Sequence, residues 1–331
     1  FGDDPMKYDG YGYGPLGDEL IDLFHSGTLD FSAAEALIRQ GADLNAIGTN
    51  DNENILSAIL LGFGATAAEG TQPSPPGPDS LLCRTIRFFL DHGFDVTNCG
   101  GCFGAQCLHA LAYSTYDRSI IDATKLLFDA GAKNCSIWPN SDDEEEDTPW
   151  STISMKCSYT ETCENDYAMS NIFEAVYQLY QAVEDGRPYG GIDWYGAATG
   201  KKILRVLAQN DGYWPVFMPI DLPEFQKEHC FKDTLYFVYD GGALITTQYG
   251  EFWTDTFLPD DGLIDVSEYF PSMVGSTLKR FRYDNNSIVK GWRRYSQPIT
   301  ILEMDSGQKI NFSINFGEVD AKDRAAYFEL L

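Results

Sequence analysis

The chain lacks any apolar run approaching the roughly 20 residues that cross a bilayer. Its longest, such as 55–64 and 203–208, stop far short, so no spanning helix is expected. It is also poor in positive charge, with 23 Lys and Arg against 50 Asp and Glu, a formal net of -27. A surface of that sign repels phosphate backbones and anionic lipid, which argues against nucleic acid and membrane and favours a protein partner with a basic patch. Only four histidines occur. Glycines 196 and 200 precede Lys201 and Lys202 but are one residue too close for a phosphate loop, and Lys202 stands where Ser or Thr should hold magnesium. Around Asp260, Asp261, Asp265 and Glu268 no calcium-loop pattern is found. No cofactor and no metal is expected. The eight cysteines are irregularly spaced in a chain too long to need a disulfide framework, which points to a reduced, cytoplasmic setting.

What is present is ordinary globular material, 44% hydrophobic and 14% aromatic, enough for two or three domains. The acidic excess is uneven: residues 1–212 carry 12 basic and 32 acidic side chains, residues 213–331 carry 11 and 18. A Gly/Tyr-rich start over 1–15 reads as a flexible arm. Helical periodicity follows at 19–25 and 32–40 and ends in Gly41-Ala42-Asp43-Leu44-Asn45-Ala46. A second closure stands at Gly93-Phe94-Asp95-Val96-Thr97-Asn98 and a third at Gly131-Ala132-Lys133-Asn134. Each glycine ends a helix because it takes the left-handed conformation cheaply. The hexapeptide at 41–46 closely matches the G-A-D-V-N-A signature, and the chain from 16 to 187 resembles the ankyrin-repeat family.

The glycines lie 52 (41 to 93) and 38 (93 to 131) residues apart against a family period of about 33, so insertions are expected. The stretch 62–80, with three further glycines and four prolines, reads as a loop between the two helices of one repeat. Fragments of the family's T-P-L-H-x-A mark remain at Asn54-Ile55-Leu56-Ser57, Gln106-Cys107-Leu108-His109 and Thr148-Pro149. A fourth second-helix candidate spans 170–184 and stops at Asp185-Gly186.

Beyond Gly190-Gly191 the period changes from 3.6 to 2. Thr234–Tyr239 and Ala243–Gln248 flank Asp240-Gly241-Gly242, and Pro298–Met304 and Lys309–Ile314 flank Asp305-Ser306-Gly307, both read as hairpins. Upstream of each lies a matching segment, Gly200–Val206 and Gly275–Phe281, offset by 75. The expected fold class is therefore α+β: an α-solenoid of about four ankyrin-like repeats over 16–187, then over 188–331 a mostly antiparallel, internally duplicated β domain with a C-terminal helix or tail.

Resemblance to ankyrin proteins implies a non-enzymatic module that grips a protein partner with hairpin fingers and a concave face. The fingers would fall at Asn50, Asp51 and Asn52, at Phe103, and in the connection holding Trp138, the acid run Asp142, Asp143, Glu144, Glu145, Glu146 and Asp147, and Trp150. Gly41, Gly93, Gly131 and His109 are the structural repeat positions, with His109 expected to bond neighbouring backbone. Cys99-Gly100-Gly101-Cys102 with Cys107 and His109 lacks the second ligand pair of a structural zinc site. It is read as structural, ahead of metal and then redox roles. His229 and Cys230 are sequence neighbours, a poor start for a hydrolytic pair, and leave an enzyme reading distant. The acidity suits an alternative, an immunity-type inhibitor that neutralises a basic effector enzyme.

Overall fold

The computed structural model describes residues 11–25, 30–49, 52–67, 77–114, 118–138, 148–159, 167–209, 234–247, 252–284, 299–307 and 309–313. The chain divides into two compact units, Phe1–Tyr159 and Thr160–Leu331, and its class is mixed α+β.

The first unit contains α1 (Pro15–His25), α2 (Phe31–Gln40), α3 (Ile55–Ala67), α4 (Leu81–Asp91), α5 (Cys102–Ser114), α6 (Ser119–Asp129) and α7 (Pro149–Tyr159). Helices α1, α3, α5 and α7 pack one upon the next, and α4 packs on α6 in a second row. Local chemistry sets each end. Asp30 caps α2 by accepting from the amides of Ser32 and Ala33, and Ser80 caps α4 by accepting from that of Cys83. Gly41, Gly93 and Gly131 have φ of 106°, 97° and 98°. After each, the next residue's amide reaches back to the carbonyl five positions earlier: Ala42 to Leu37, Phe94 to Phe89, and Ala132 to Leu127. This is the same Schellman closure three times. Between the rows runs a chain of rings: Phe31 against Phe88 at 5.1 Å, Phe24 against Phe89 at 5.5 Å, Phe89 against Phe94 at 6.3 Å and Phe94 against Phe103 at 6.0 Å. Aromatic pairs at such spacings add to plain area burial.

One expectation is corrected here. Helix α3 continues through Gly62 and Gly64 to Ala67, so the loop begins later than position 62. Glycine inside a helix costs only about 1 kcal/mol, and at 62 the absence of a side chain is needed: a Cβ there would lie 2.1 Å from His25 Nε2.

The second unit opens with α8 (Tyr167–Glu184), closed at Gly186 by the bond from Arg187 N–H to Ala182 O. Its strands are β1 (Asp193–Trp194), β2 (Arg205–Gln209), β3 (Thr234–Tyr239), β4 (Gly242–Thr247), β5 (Phe252–Asp255), β6 (Leu263–Asp265), β7 (Leu278–Asp284), β8 (Ile299–Met304) and β9 (Lys309–Ser313). They form antiparallel sheets of order β1-β5-β4-β3-β2-β6 and β7-β8-β9. Helix α8 packs on β5 and β1. It lies in this unit, so the division falls between 159 and 160, ahead of the 187/188 boundary read from the sequence. Side chains from both sheets, including Val206, Phe237, Leu244 and Phe252 of the first with Leu278, Leu302 and Met304 of the second, share one core.

The two strand-plus-hairpin segments also match in register. Val206 faces Phe237, Leu207 faces Tyr236 and Ala208 faces Leu235. Phe281 faces Leu302, Arg282 faces Ile301 and Tyr283 faces Thr300. Offsets of 75 on the first strand (206 to 281) and 65 on the second (237 to 302) convert one set into the other. The segments ahead of β2 and β7 pair with each other through Gly200 N–H to Leu278 O and Gly275 N–H to Ile203 O, both 2.8 Å. Ile203 N–H to Ser276 O and Leu278 N–H to Lys201 O, both 2.9 Å, complete the set. Exchanging each residue for its partner 75 positions away turns the first bond into the second and the third into the fourth.

Among the described residues, no helix is long and apolar enough to cross a membrane. Residues 1–10 of the arm expected over 1–15, and the expected tail over 319–331, lie outside those residues, whereas 11–14 are described and α1 starts at Pro15.

The closures and turns are open to test by three substitutions. No atom lies within 4 Å of a Cβ built at Gly93, so Gly93→Ala meets only the left-handed backbone penalty, roughly 1–2 kcal/mol in urea unfolding. A Cβ at Gly104 would lie 2.7 Å from Ala132 Cα, so Gly104→Ala forces α5 from the third closure and is expected to cost about 1–3 kcal/mol as overpacking. In the second unit, bonds from the Ser267 hydroxyl and amide hold the Asp265 carboxyl below its ordinary 3.8. Its stabilisation is therefore complete above the ordinary aspartate range and lost as pH falls through the lowered value. Asp265→Asn is expected to lower Tm at neutral pH, with the difference vanishing in strong acid across a pH series.

Candidate partner-binding face

The connections between the helix pairs lie along the α1–α3–α5–α7 row. In the first, Ile47 and Asn54 form an isolated antiparallel bridge, and Gly48 N–H donates to Glu53 O at 2.8 Å, which makes 47–54 a short hairpin. Asn52 is exposed, takes φ of 54° and donates its amide to Gly48 O. Asn50 and Asp51 lie outside the described residues. The Tyr13 hydroxyl donates to Glu53 O at 3.0 Å and braces the hairpin from the α1 side.

The bases of successive connections are tied by side chains acting as backbone. Asn45 donates from Nδ2 to Gly93 O at 3.1 Å and accepts Asp95 N–H at 2.9 Å. Asp43 accepts the Asn45 amide, and Asp95 accepts both the amide and the hydroxyl of Thr97. Those bonds from Thr97 hold the Asp95 carboxyl below its ordinary value.

A buried amide pair sits deeper. Asn54 caps α3 by accepting Ser57 N–H at 2.8 Å, while its Nδ2 donates to Gln106 Oε1 at 2.8 Å and to Phe103 O at 3.1 Å. Gln106 Oε1 also accepts Asn54 N–H at 2.9 Å. From Nε2 it donates to Asn52 O at 3.0 Å and Ile137 O at 3.1 Å. One side chain on α5 thus joins the first connection to the third. Neither Asn54 nor Gln106 stood out in the sequence beyond its place in the degenerate repeat mark.

Several expected site residues are relocated. Phe103 is only 2% exposed and stacks on Phe94, so it is a core residue of α5 and not a contact residue. Trp138 and Trp150 are half-buried; Trp150 donates its amide to Asn134 Oδ1 at 3.1 Å, just inside the Thr148–Ser151 cap of α7. The acid run from Asp142 to Asp147 lies outside the described residues, as do His229 and Cys230. His109 Nδ1 pairs with the Thr152 hydroxyl at 3.0 Å, a side-chain link from α5 to α7. Its ring packs on Tyr113 at 4.8 Å.

Among the thiols, Cys107 is fully buried against Asn54 Oδ1, and burial pushes it well up. Cys102 donates to Ile137 O at 2.9 Å, and burial, aided by Cys135 and Cys99, raises it to about 11. Among the described residues no group of three His, Cys, Asp or Glu side chains could hold a metal ion.

The surface of this row has two further properties. Helices α1, α3 and α5 and the hairpin 47–54 contain no Lys or Arg, α7 has one, Lys156, and α2, α4 and α6 carry Arg39, Arg84, Arg87 and Lys125. Helix α1 instead presents Glu19 and Asp22 to solvent. Ile47, Leu61 and Tyr113 are large apolar residues left 42%, 36% and 50% exposed. Leu61 and Tyr113 are separated by 52 (61 to 113), the spacing of Gly41 and Gly93, so they occupy equivalent places on helices that pack together. That spacing is the signal by which they could have been found in the sequence.

No protein-family model matches the chain, and neither the curated proteins nor the solved structures contain a match to it.

The Asn54–Gln106 pair yields a prediction. Asn54→Ala or Gln106→Ala each strands buried partners and is expected to cost about 1–3 kcal/mol. The double variant is expected to lose less than the sum, by at least ~0.5 kcal/mol, because the two act as one network. Additive losses in a urea-unfolding cycle contradict this.

Proposed function

We propose that the chain is a non-enzymatic protein-binding module whose first unit is an ankyrin-type array of degenerate repeats. The observation that carries the reading is the row of α1, α3, α5 and hairpin 47–54, free of Lys and Arg and bearing exposed Leu61, Tyr113 and Ile47. Apolar and aromatic anchors supply most interface energy, while charge complementarity steers association and rejects like-charged partners. A partner with a basic patch and apolar side chains suits such a face. The three equal glycine closures support the repeat assignment. The matched registers and exchangeable bonds of the second unit support an internal duplication there, each half one strand and a hairpin.

A second reading is favoured by the six carboxylates at 142–147. It is an immunity-type inhibitor that binds a basic effector enzyme, with the acid run accelerating encounter. Both readings place the activity in recognition rather than chemistry.

Immobilised full-length protein, challenged with native lysate and eluted in a salt gradient, tests the proposal when run beside variants. Tyr113→Ala and Leu61→Ser are expected to weaken the captured partner's Kd by roughly tenfold or more, the scale of an interface anchor. Neutralising Asp142 to Asp147 is expected to slow association with less effect on dissociation. One dominant basic partner leaving at moderate salt favours the inhibitor, and several partners favour an adaptor. Capture unaffected by Tyr113→Ala and Leu61→Ser overturns the proposed face.

A further inference from the structure

We propose that Cys99 and Cys102 form a dithiol–disulfide site that exchanges with small disulfides. The inference does not depend on the binding role. Cys102 N–H donates to Cys99 O and to Asn98 O, and the two residues between the cysteines, Gly100 and Gly101, have φ of 72° and 105°. Cys99-Gly-Gly-Cys102 is therefore a hydrogen-bonded turn with both central residues left-handed. Such a turn brings its end Cα atoms within about 7 Å, and disulfides span roughly 4.4–6.8 Å between Cα atoms. A Cβ at 101 would also lie 3.3 Å from the Lys133 stem, which would have to shift by a few tenths of an ångström.

The two thiols are unequal in a way that orders the chemistry. Cys99 is exposed and holds φ of 53°, a conformation that costs a non-glycine residue energy and recurs at functional sites. Cys102 is 4% exposed at the first position of α5, with its S–H bonded to Ile137 O. In the first step the Cys99 thiolate attacks one sulfur of a small disulfide RS–SR, forming a mixed disulfide and releasing one thiol. In the second, Cys102 loses its proton to solvent and its sulfur attacks that of Cys99, releasing the second thiol. Two protein S–H groups are oxidised to one S–S bond, and the small disulfide is reduced to two thiols. Burial makes Cys102 a poor partner for free reagents, but the second step is intramolecular, where proximity compensates for low thiolate content.

Closure removes the proton that Cys102 shares with Ile137 O and leaves that carbonyl with the Gln106 amide. Cys135, two residues before Ile137 and half-buried, is the competing partner. Full-length protein treated with oxidised glutathione, alkylated at the remaining thiols and digested for mass spectrometry tests the assignment. A Cys99–Cys102 bond is expected, unchanged in Cys135→Ser. Cys102→Ser is expected to trap glutathione on Cys99, and Cys99→Ser to slow oxidation of Cys102 by roughly tenfold or more. A Cys102–Cys135 bond, a persistent mixed disulfide on Cys99 in the unaltered protein, or no reaction overturns the proposal.

Discussion

The first unit depends on one buried amide. Gln106 sits at 3% exposure on α5, and its two donors and one acceptor reach backbone in the hairpin at 47–54, the cap of α3 and the connection before α7. Of those partners Asn54 and Ile137 are buried, and each of their groups would cost about 1–3 kcal/mol if left unpaired. A half-satisfied network is worse than none, so the first and third connections are favoured to meet α5 in one register. The hydrophobic row sets how much surface is buried, whereas the amide decides which alignment of the helix pairs is allowed. The proposed face inherits that alignment: Leu61 and Tyr113 stand on α3 and α5, the two helices that Asn54 and Gln106 tie together.

The second unit meets its constraint differently. Its two sheets are joined by backbone pairing of 200–203 with 275–278, above a core to which both contribute. A one-residue slip would turn Ile203 and Leu278, 1% exposed each, out of that core. The four exchanged bonds therefore fix the relation of the two strand-plus-hairpin segments more firmly than either hairpin does alone. Arg280 pairs with the buried Glu303 across β7 and β8, a further tie whose charge would otherwise be stranded.

Much of this was written locally. Gly41, Gly93 and Gly131 announced helix ends because only glycine takes a left-handed closure without strain, and Asp240-Gly241 and Asp305–Gly307 announced turns for the same reason. What depends on partners far along the chain was not legible. Helix α3 runs through two glycines because His25 needs the space at 62. Phe103 looked like an exposed finger residue but finds Phe94, and α8 carries a helical stripe that could have served either unit until β5 and β1 claimed it. The short strands β1, β5 and β6 show too few residues for a period of two to register. Asn and Gln side chains can bond almost any backbone, so the Asn54–Gln106 network has no one-dimensional signature.

The account's central claim is that recognition occurs along the row of α1, α3 and α5 and its hairpin. The most direct measurement is hydrogen–deuterium exchange of the full chain with and without its salt-eluted partner. Protection gained in 47–54 and along α3 and α5, with the strands of the second unit unchanged, is the result the account predicts. Protection confined to the strands of the second unit would contradict it.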